Sequence, residues 1–157
     1  MKFAFYPGCV ARGATPELLT STIAVCDRLG IELDFESMRS ASCTGSGILQ
    51  EQNLRLGDTL NARNFALAEK VGLDILTICS TCQGVMSQAV KRLNADAAYL
   101  AEINADLAEE GLEYKGVSRA KHLLWVVVEE VGLERLKAEV KMPLTGFRAA
   151  PFYGCYM

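Results

Sequence analysis

The chain alternates short apolar runs with longer stretches in which apolar residues recur every three or four positions. The short runs have the length of β-strands and cover residues 2–6, 31–35 and 74–78. Helical spacing follows them over residues 16–29, 54–71 and 81–93. The run 74–78 is nearly continuous, which is typical of a parallel strand buried on both faces. This alternation predicts an α/β fold: a three-layer domain whose helices flank a small, mostly parallel sheet.

The second half of the chain predicts two more helices and then a change of pattern. The helices cover residues 97–110 and 118–131. A strand predicted over 147–153 then leads into Gly154-Cys155, as the strand 2–6 leads into Gly8-Cys9. We therefore expect a domain over 1–141, a linker over 142–146, and the opening strand of an incomplete second repeat over 147–157.

Composition and charge exclude several classes of function. The 157 residues carry a net charge of −3 and no basic stripe, which argues against binding to nucleic acid or to anionic membranes. The apolar run 123–128 is far shorter than the ~20 residues of a membrane span, so we expect no direct membrane insertion. With no leader sequence visible, we expect a cytoplasmic protein. Thiols stay reduced there, and grouped cysteines are metal-binding or catalytic more often than disulfide-bonded.

Four cysteines fall where the predicted fold brings loops together. Cys43 follows Cys9 after 33 intervening residues, and Cys79 and Cys82 follow after another 35. Cys9 and Cys79 each come directly after a predicted strand, at the carboxyl edge where open α/β sheets bind ligands. Because thiolates bind soft and borderline metals, the pattern predicts one metal centre on these four residues.

Three kinds of thiol chemistry fit this spacing. Structural zinc sites usually use two close cysteine pairs, whereas here one pair joins two remote cysteines, which favours an iron–sulfur cluster over zinc. A redox-active dithiol at Cys79 and Cys82 is the third alternative, although it leaves Cys9 and Cys43 without a role. At the level of function, the alternative to a redox subunit is a structural four-cysteine module that docks partner subunits without chemistry of its own.

Other residues have simpler interpretations. Cys26 lies on the apolar stripe of the first long helix, which predicts core packing. His122, the one histidine, is expected to make hydrogen bonds on the face of the helix 118–131. Gly45 permits close approach of the backbone to a cluster. Gly84 inside a helix costs up to ~1 kcal/mol relative to alanine, which close packing beside the metal centre would offset.

The cysteine pattern resembles the cysteine-rich repeat of the heterodisulfide reductase B family. The similar segments are Tyr6-Pro7-Gly8-Cys9, Ala41-Ser42-Cys43-Thr44-Gly45 and Cys79-Ser80-Thr81-Cys82-Gln83-Gly84, with Phe152-Tyr153-Gly154-Cys155 similar to the start of a second repeat. The resemblance implies an iron–sulfur subunit that transfers electrons in thiol–disulfide or sulfur-carrier chemistry. It also implies partner subunits that carry iron–sulfur clusters and flavin, and a disulfide or protein-bound sulfur as substrate.

One position departs from the family pattern. Complete repeats of that family have paired cysteines and hold a noncubane cluster on five thiolates, whereas this chain has Cys43-Thr44. Four thiolates are what a [4Fe–4S] cluster needs, with Thr44 as a hydrogen-bonding neighbour and not a ligand. The departure makes a noncubane cluster less expected here, and it fits a heterodisulfide-reductase-like complex of sulfur oxidisers. Cys155 would belong to the site of the second repeat.

Overall fold

A computed structural model describes residues 1–150. Its core is a four-stranded, all-parallel sheet in the order β2-β1-β3-β4. The strands are β1 (Lys2–Tyr6), β2 (Glu32–Asp34), β3 (Ile75–Thr77) and β4 (Ala120–His122). The helices are α1 (Cys9–Gly13), α2 (Pro16–Leu29), α3 (Ile48–Gln52), α4 (Leu54–Lys70), α5 (Ser80–Ala95), α6 (Ala97–Ala108), α7 (Leu123–Trp125) and α8 (Leu133–Glu139), with a π-helical turn over Val126–Val131.

Helices cover both faces of the sheet, which confirms the predicted three-layer α/β fold. Successive residues of a strand point to opposite faces, so β1 sends Phe3 and Phe5 to one side and Ala4 and Tyr6 to the other. The Phe5 side packs against α2 and the π-helical turn. The other side packs against α4, α5 and α6, whose contributions include Phe65, Met86, Leu93 and Ile103.

The predicted helix over residues 118–131 is wrong in its first part. Residues Ala120–His122 form β4 instead, and helical structure begins only at Leu123. The reason is tertiary: β3 has an open edge, and β4 satisfies its backbone groups in parallel register, with Thr77 opposite His122. Two side-chain hydrogen bonds fix the entry to β4, from Ser118 Oγ to the Leu73 carbonyl and from the Arg119 N–H to Asp74 Oδ1.

The remaining boundaries differ in smaller ways. The short helices α1, α3 and α8 were not predicted, because five to seven residues are too few to show a helical period. No helix or strand forms over 141–150. The strand predicted over 147–153 is therefore absent from 147–150, and its remainder lies outside the described residues, as does Cys155. Within residues 1–150, no helix is both long and apolar enough to cross a membrane.

Candidate functional site

Cys79 and Cys82 form a close pair where β3 passes into α5. Cys79 is the N-cap residue of α5 and has an extended backbone. Its Sγ accepts the Cys82 N–H at 3.4 Å, while its own N–H donates to Thr77 Oγ1 at 3.3 Å. These bonds hold the two sulfurs together at the first turn of the helix, as the spacing of one helical turn predicted.

The pair shares one proton unequally. The pKa of Cys79 falls from 9.0 to about 6, chiefly because the Cys82 thiol donates to it and also because the N–H groups of Cys82 and Thr81 face it. Burial opposes this fall. The pKa of Cys82 rises for the matching reason: its proton is held by Cys79, and the residue is buried. At neutral pH the pair is therefore a thiolate at Cys79 beside a thiol at Cys82.

Gly8 brings the end of β1 against this pair. Its φ of 81° and ψ of 167° lie in a region essentially closed to residues with a side chain. A Cβ at Gly8 would lie 3.2 Å from Cys79 Cβ and 3.5 Å from Cys82 Sγ. Only glycine lets the backbone pass so close, and the next residue, Cys9, begins α1 with an exposed side chain.

Cys43 lies in an irregular loop after β2. Its exposed Sγ accepts the Gly45 N–H at 3.4 Å. Gly45 has a φ of 86°, and a Cβ there would lie 2.6 Å from Leu49 Cβ, so the turn requires glycine for its own geometry. Gly84, by contrast, is half-buried inside α5.

Tyr6 links the three loops. Its hydroxyl donates to the Ser42 carbonyl at 2.9 Å, beside Cys43. Burial raises the pKa of Tyr6, and the nearby negative charges of Cys82, Cys43 and Cys9 raise it further. The phenol thus remains a neutral donor close to cysteines from all three loops.

Thr44 occupies the position where the family pattern has a second cysteine. Its side chain is fully buried, and its hydroxyl makes no hydrogen bond of normal geometry within residues 1–150. It lies close enough to the Cys82 thiol to act against the rise in that thiol's pKa. A buried hydroxyl without a partner is costly, and this one faces the thiols.

A cavity of about 320 Å³ opens beside the cysteines from the other two loops, with Cys9 and Cys43 both in its lining. Tyr6 and Met38 form part of its wall, and Arg12 adds a positive charge. Among the described residues Arg12 makes no ion pair. The cavity is therefore mainly apolar, with thiols on two sides.

The structure brings the predicted cysteines to one edge of the sheet but does not form a site for a single ion. Within the part of the chain that it describes, no three His, Cys, Asp or Glu side chains lie close enough to hold one metal ion. A zinc site with four thiolates at about 2.3 Å would require that closeness. Cys26 is fully buried between the sheet and α2, as predicted, and is remote in role from the other thiols.

His122 reaches the same edge by a route that the sequence did not indicate. It ends β4, and its Nδ1 accepts the Leu124 N–H at 3.2 Å. Burial is the main cause that lowers the pKa of His122, opposed by the Ile78 carbonyl. The predicted helix-face position is wrong, although the residue does make a hydrogen bond. Its place became visible only when β4 formed.

The parallel sheet and the thiols at its carboxyl edge define a cysteine-rich α/β domain. The chain belongs to the cysteine-rich domain family named CCG, whose pattern matches residues 3–87. This agrees with the predicted resemblance to the heterodisulfide reductase B family.

Curated relatives match nearly all of this chain. It is 39% identical over 155 residues to the 8-methylmenaquinol:fumarate reductase membrane anchor subunit of Wolinella succinogenes, covering 99% of this chain and 52% of that protein. It is 30% identical to a heterodisulfide reductase B-like protein of Archaeoglobus profundus, with 99% and 52% covered. A ferredoxin/F420H2-dependent CoB-CoM heterodisulfide reductase B of Methanosarcina acetivorans is 31% identical, with 99% and 51% covered. The chain thus spans about half the length of the curated relatives it matches.

Proposed function

We propose that this chain is an electron-transferring iron–sulfur subunit, with its cluster on Cys9, Cys43, Cys79 and Cys82. The observation that carries the proposal is the arrangement of these thiols in three loops at one sheet edge, where Cys79 is already a thiolate. Deprotonated sulfur is the form that binds iron, so one ligand needs no further proton loss at neutral pH.

The residues around the thiols suit a polynuclear centre. Thiolates are the ligands of iron–sulfur clusters, and the thiols are too far apart for a single ion but gathered at one edge. Gly8 removes the side chain that would otherwise fill the space beside Cys79 and Cys82. Thr44 supplies a buried hydroxyl with no other partner in residues 1–150, suited to donate to sulfur. We therefore favour a [4Fe–4S] cluster over zinc, and over a noncubane cluster, because the fifth thiolate is replaced by Thr44.

The chemistry of the bound cluster would be one-electron transfer. The chain itself would tune that chemistry through groups in contact with the thiols. Tyr6 holds a neutral donor beside Cys43, and Arg12 places a positive charge beside the cavity. Both groups favour the more negative, reduced form of a nearby redox centre.

The assignment to a complex rests on the relatives. Three of them are named as heterodisulfide reductase B or as like it. We propose a cytoplasmic subunit of a heterodisulfide-reductase-like complex, with iron–sulfur and flavin subunits as partners and a disulfide or protein-bound sulfur as redox substrate. A complex of the type found in sulfur oxidisers is the narrower form of this proposal.

A second assignment uses the same centre in another electron route. The relative from Wolinella succinogenes, at 39% identity, is named as a subunit of an 8-methylmenaquinol:fumarate reductase. On this assignment the cluster would pass electrons between a quinol and fumarate-reducing subunits. Reduction of the loaded protein by a low-potential ferredoxin but not by a menaquinol analogue favours the first route, and the opposite result favours the second.

The test of the cluster itself is anaerobic reconstitution with iron and sulfide. We expect brown protein with about four irons and four sulfides per chain, and a signal that changes on reduction. Cys79→Ser should lose the metal. Cys26→Ser is the matched control, since it places a hydroxyl in the core, at a cost of about 1–3 kcal/mol of stability, but leaves the metal content unchanged. Colourless protein with one zinc contradicts the proposal, and a cluster that cannot be reduced favours the structural four-cysteine module.

The cluster type has its own test at Thr44. Thr44→Cys restores five thiols and should raise the iron content or change the electron paramagnetic resonance signal. Thr44→Val removes the hydroxyl at nearly constant shape and should keep the iron content while shifting the reduction potential. A noncubane signal from the unaltered protein would refute the role given to Thr44.

A further inference from the structure

Two asparagines of α4 hold the loop of Cys43 from both sides. Asn64 Oδ1 accepts the Ser42 N–H at 2.8 Å, and its Nδ2 donates to the Ser42 carbonyl at 2.9 Å. Asn61 Nδ2 donates to the Thr44 carbonyl at 3.1 Å. The two asparagines thus grip the residues immediately before and after Cys43.

Both asparagine side chains are fully buried, which makes these bonds hard to replace with water. Asn61 Nδ2 also donates to the Gly57 carbonyl at 2.7 Å, one helical turn earlier, while its Oδ1 has no partner in residues 1–150. Buried amides of this kind are destabilising unless their hydrogen bonds are made. Their placement is therefore explained by the loop that they bind and not by core packing.

The loop has little internal structure of its own to fix Cys43. It forms no helix or strand between β2 and α3, and Gly45, Ser46 and Gly47 all have positive φ. Its other anchors are the Tyr6 hydroxyl and Arg63, whose Nη1 donates to the Ser40 carbonyl at 2.7 Å. Arg63 is shared with Glu110, so its contact is on the outer side of the loop.

We propose that Asn64 and Asn61 are positioning residues that set where Cys43 and Thr44 stand relative to Cys79 and Cys82. The functional part of this inference rests on the proposed cluster at these thiols. On that basis, the asparagines fix the one ligand that no strand or helix carries. Loosening them should let Cys43 depart while Cys79 and Cys82 stay in place.

The chain contains a matched control for this idea. Asn104 on α6 grips the backbone of Tyr114 with the same pair of bonds, an N–H to Oδ1 at 2.9 Å and Nδ2 to the carbonyl at 3.0 Å. Asn104 lies away from the thiols, so Asn104→Ala removes the same kind of contact without touching their loops. The comparison separates loss of stability from loss of position.

The experiment measures amide hydrogen exchange in the metal-free protein and iron retention after reconstitution. We expect Asn64→Ala to speed exchange over residues 40–47 by about tenfold or more, the effect of losing a pair of hydrogen bonds. It should also lower retained iron at least about twofold and alter the cluster's spectrum. Asn104→Ala should speed exchange only around Tyr114 and keep both iron and spectrum. If Asn64→Ala fails to fold, Asn64→Asp, which keeps the acceptor and loses the donor, carries the same test.

Two results overturn the inference: unchanged exchange over 40–47 in Asn64→Ala, or equal loss of iron in the variants at Asn64 and Asn104. If the unaltered protein retains no iron, the proposed cluster fails. Exchange over 40–47 then decides the positioning of Cys43 alone, supporting it if it accelerates and overturning it if it does not.

Discussion

The substitution Gly8→Ala tests whether close approach to the thiol pair, and not backbone shape alone, explains this glycine. Gly8 precedes α1 with φ 81° and ψ 167°, and a Cβ there would lie 3.2 Å from Cys79 Cβ. Gly132 precedes α8 with φ 85° and ψ 142°, and a Cβ there would meet nothing within 4 Å. The two positions share backbone strain and differ in the contact.

The expected magnitudes follow from that difference. Alanine in this region of backbone conformation costs about 1–3 kcal/mol, so Gly132→Ala should lose that much stability. Gly8→Ala has the same cost plus that of crowding against Cys79, which opens α5 and cannot easily move. Overpacking of this kind adds about 1–3 kcal/mol. The effect of alanine on the unfolded chain is common to both variants and cancels in the comparison.

Urea unfolding of the metal-free variants, followed by far-UV circular dichroism, measures both losses under the same conditions. We expect Gly8→Ala to be the less stable by about 1–3 kcal/mol. After reconstitution it should also retain less iron than Gly132→Ala, because relief of the contact displaces Cys79. Equal losses of stability together with equal iron contents would show that the approach of Gly8 to the thiols is without consequence.

Three further expectations follow from other contacts. Asp58 is fully buried and accepts from Arg92 at 2.6 and 2.9 Å and from Tyr99 at 3.0 Å, so Arg92→Ala should cost about 3–5 kcal/mol in urea unfolding; a loss below about 1 kcal/mol would contradict this. Because folding lowers the pKa of Cys79 from 9.0 to about 6, its alkylation in the metal-free protein should be half-maximal near pH 6, and half-maximal alkylation near pH 9 would exclude the thiolate. The same shift contributes stability that is fully present above pH 9 and is lost as the pH falls towards 6, which Cys79→Ser should abolish. Burial raises the pKa of Cys26 to about 11, so it should resist alkylation until the protein unfolds, as peptide mass spectrometry can check.

The sequence was most informative where a local pattern and the tertiary fold agree. The central strands β1 and β3 are apolar on both faces, and the long helices α2, α4 and α5 have a clear period, so each was predictable within a few residues. The cysteines followed, because loops after neighbouring parallel strands must share an edge. β4 was not predictable, since its residues are half-buried and it forms only to complete the edge of β3.

The finer structure of the candidate site depends on contacts that no spacing reveals. Thr44 was identifiable as a departure from a pattern, but its burial beside Cys82 depends on how two loops pack. The grip of Asn64 on Ser42 joins residues from different elements, and an asparagine inside a helix gives no sign of its partner. His122 was misplaced because its strand was missed.

The pairing of β1 with β3 has a consequence for the order in which this domain is made. Cys9 and Cys79 are far apart along the chain, and they become neighbours only when Tyr6 aligns with Thr77 across the two strands. Contacts between such distant segments form late in folding, because closing a long loop is entropically costly. During synthesis the first two thiols therefore emerge well before the strand that carries the other two.

Small zinc domains fold because they bind their metal, since their ligands are close in sequence and their cores are slight. Here the sheet must close first, and the thiols are gathered as a result. A cell that loads the proposed cluster would therefore need to deliver it to the folded domain. Until then, the exposed thiols of Cys9 and Cys43 would need protection from oxidation.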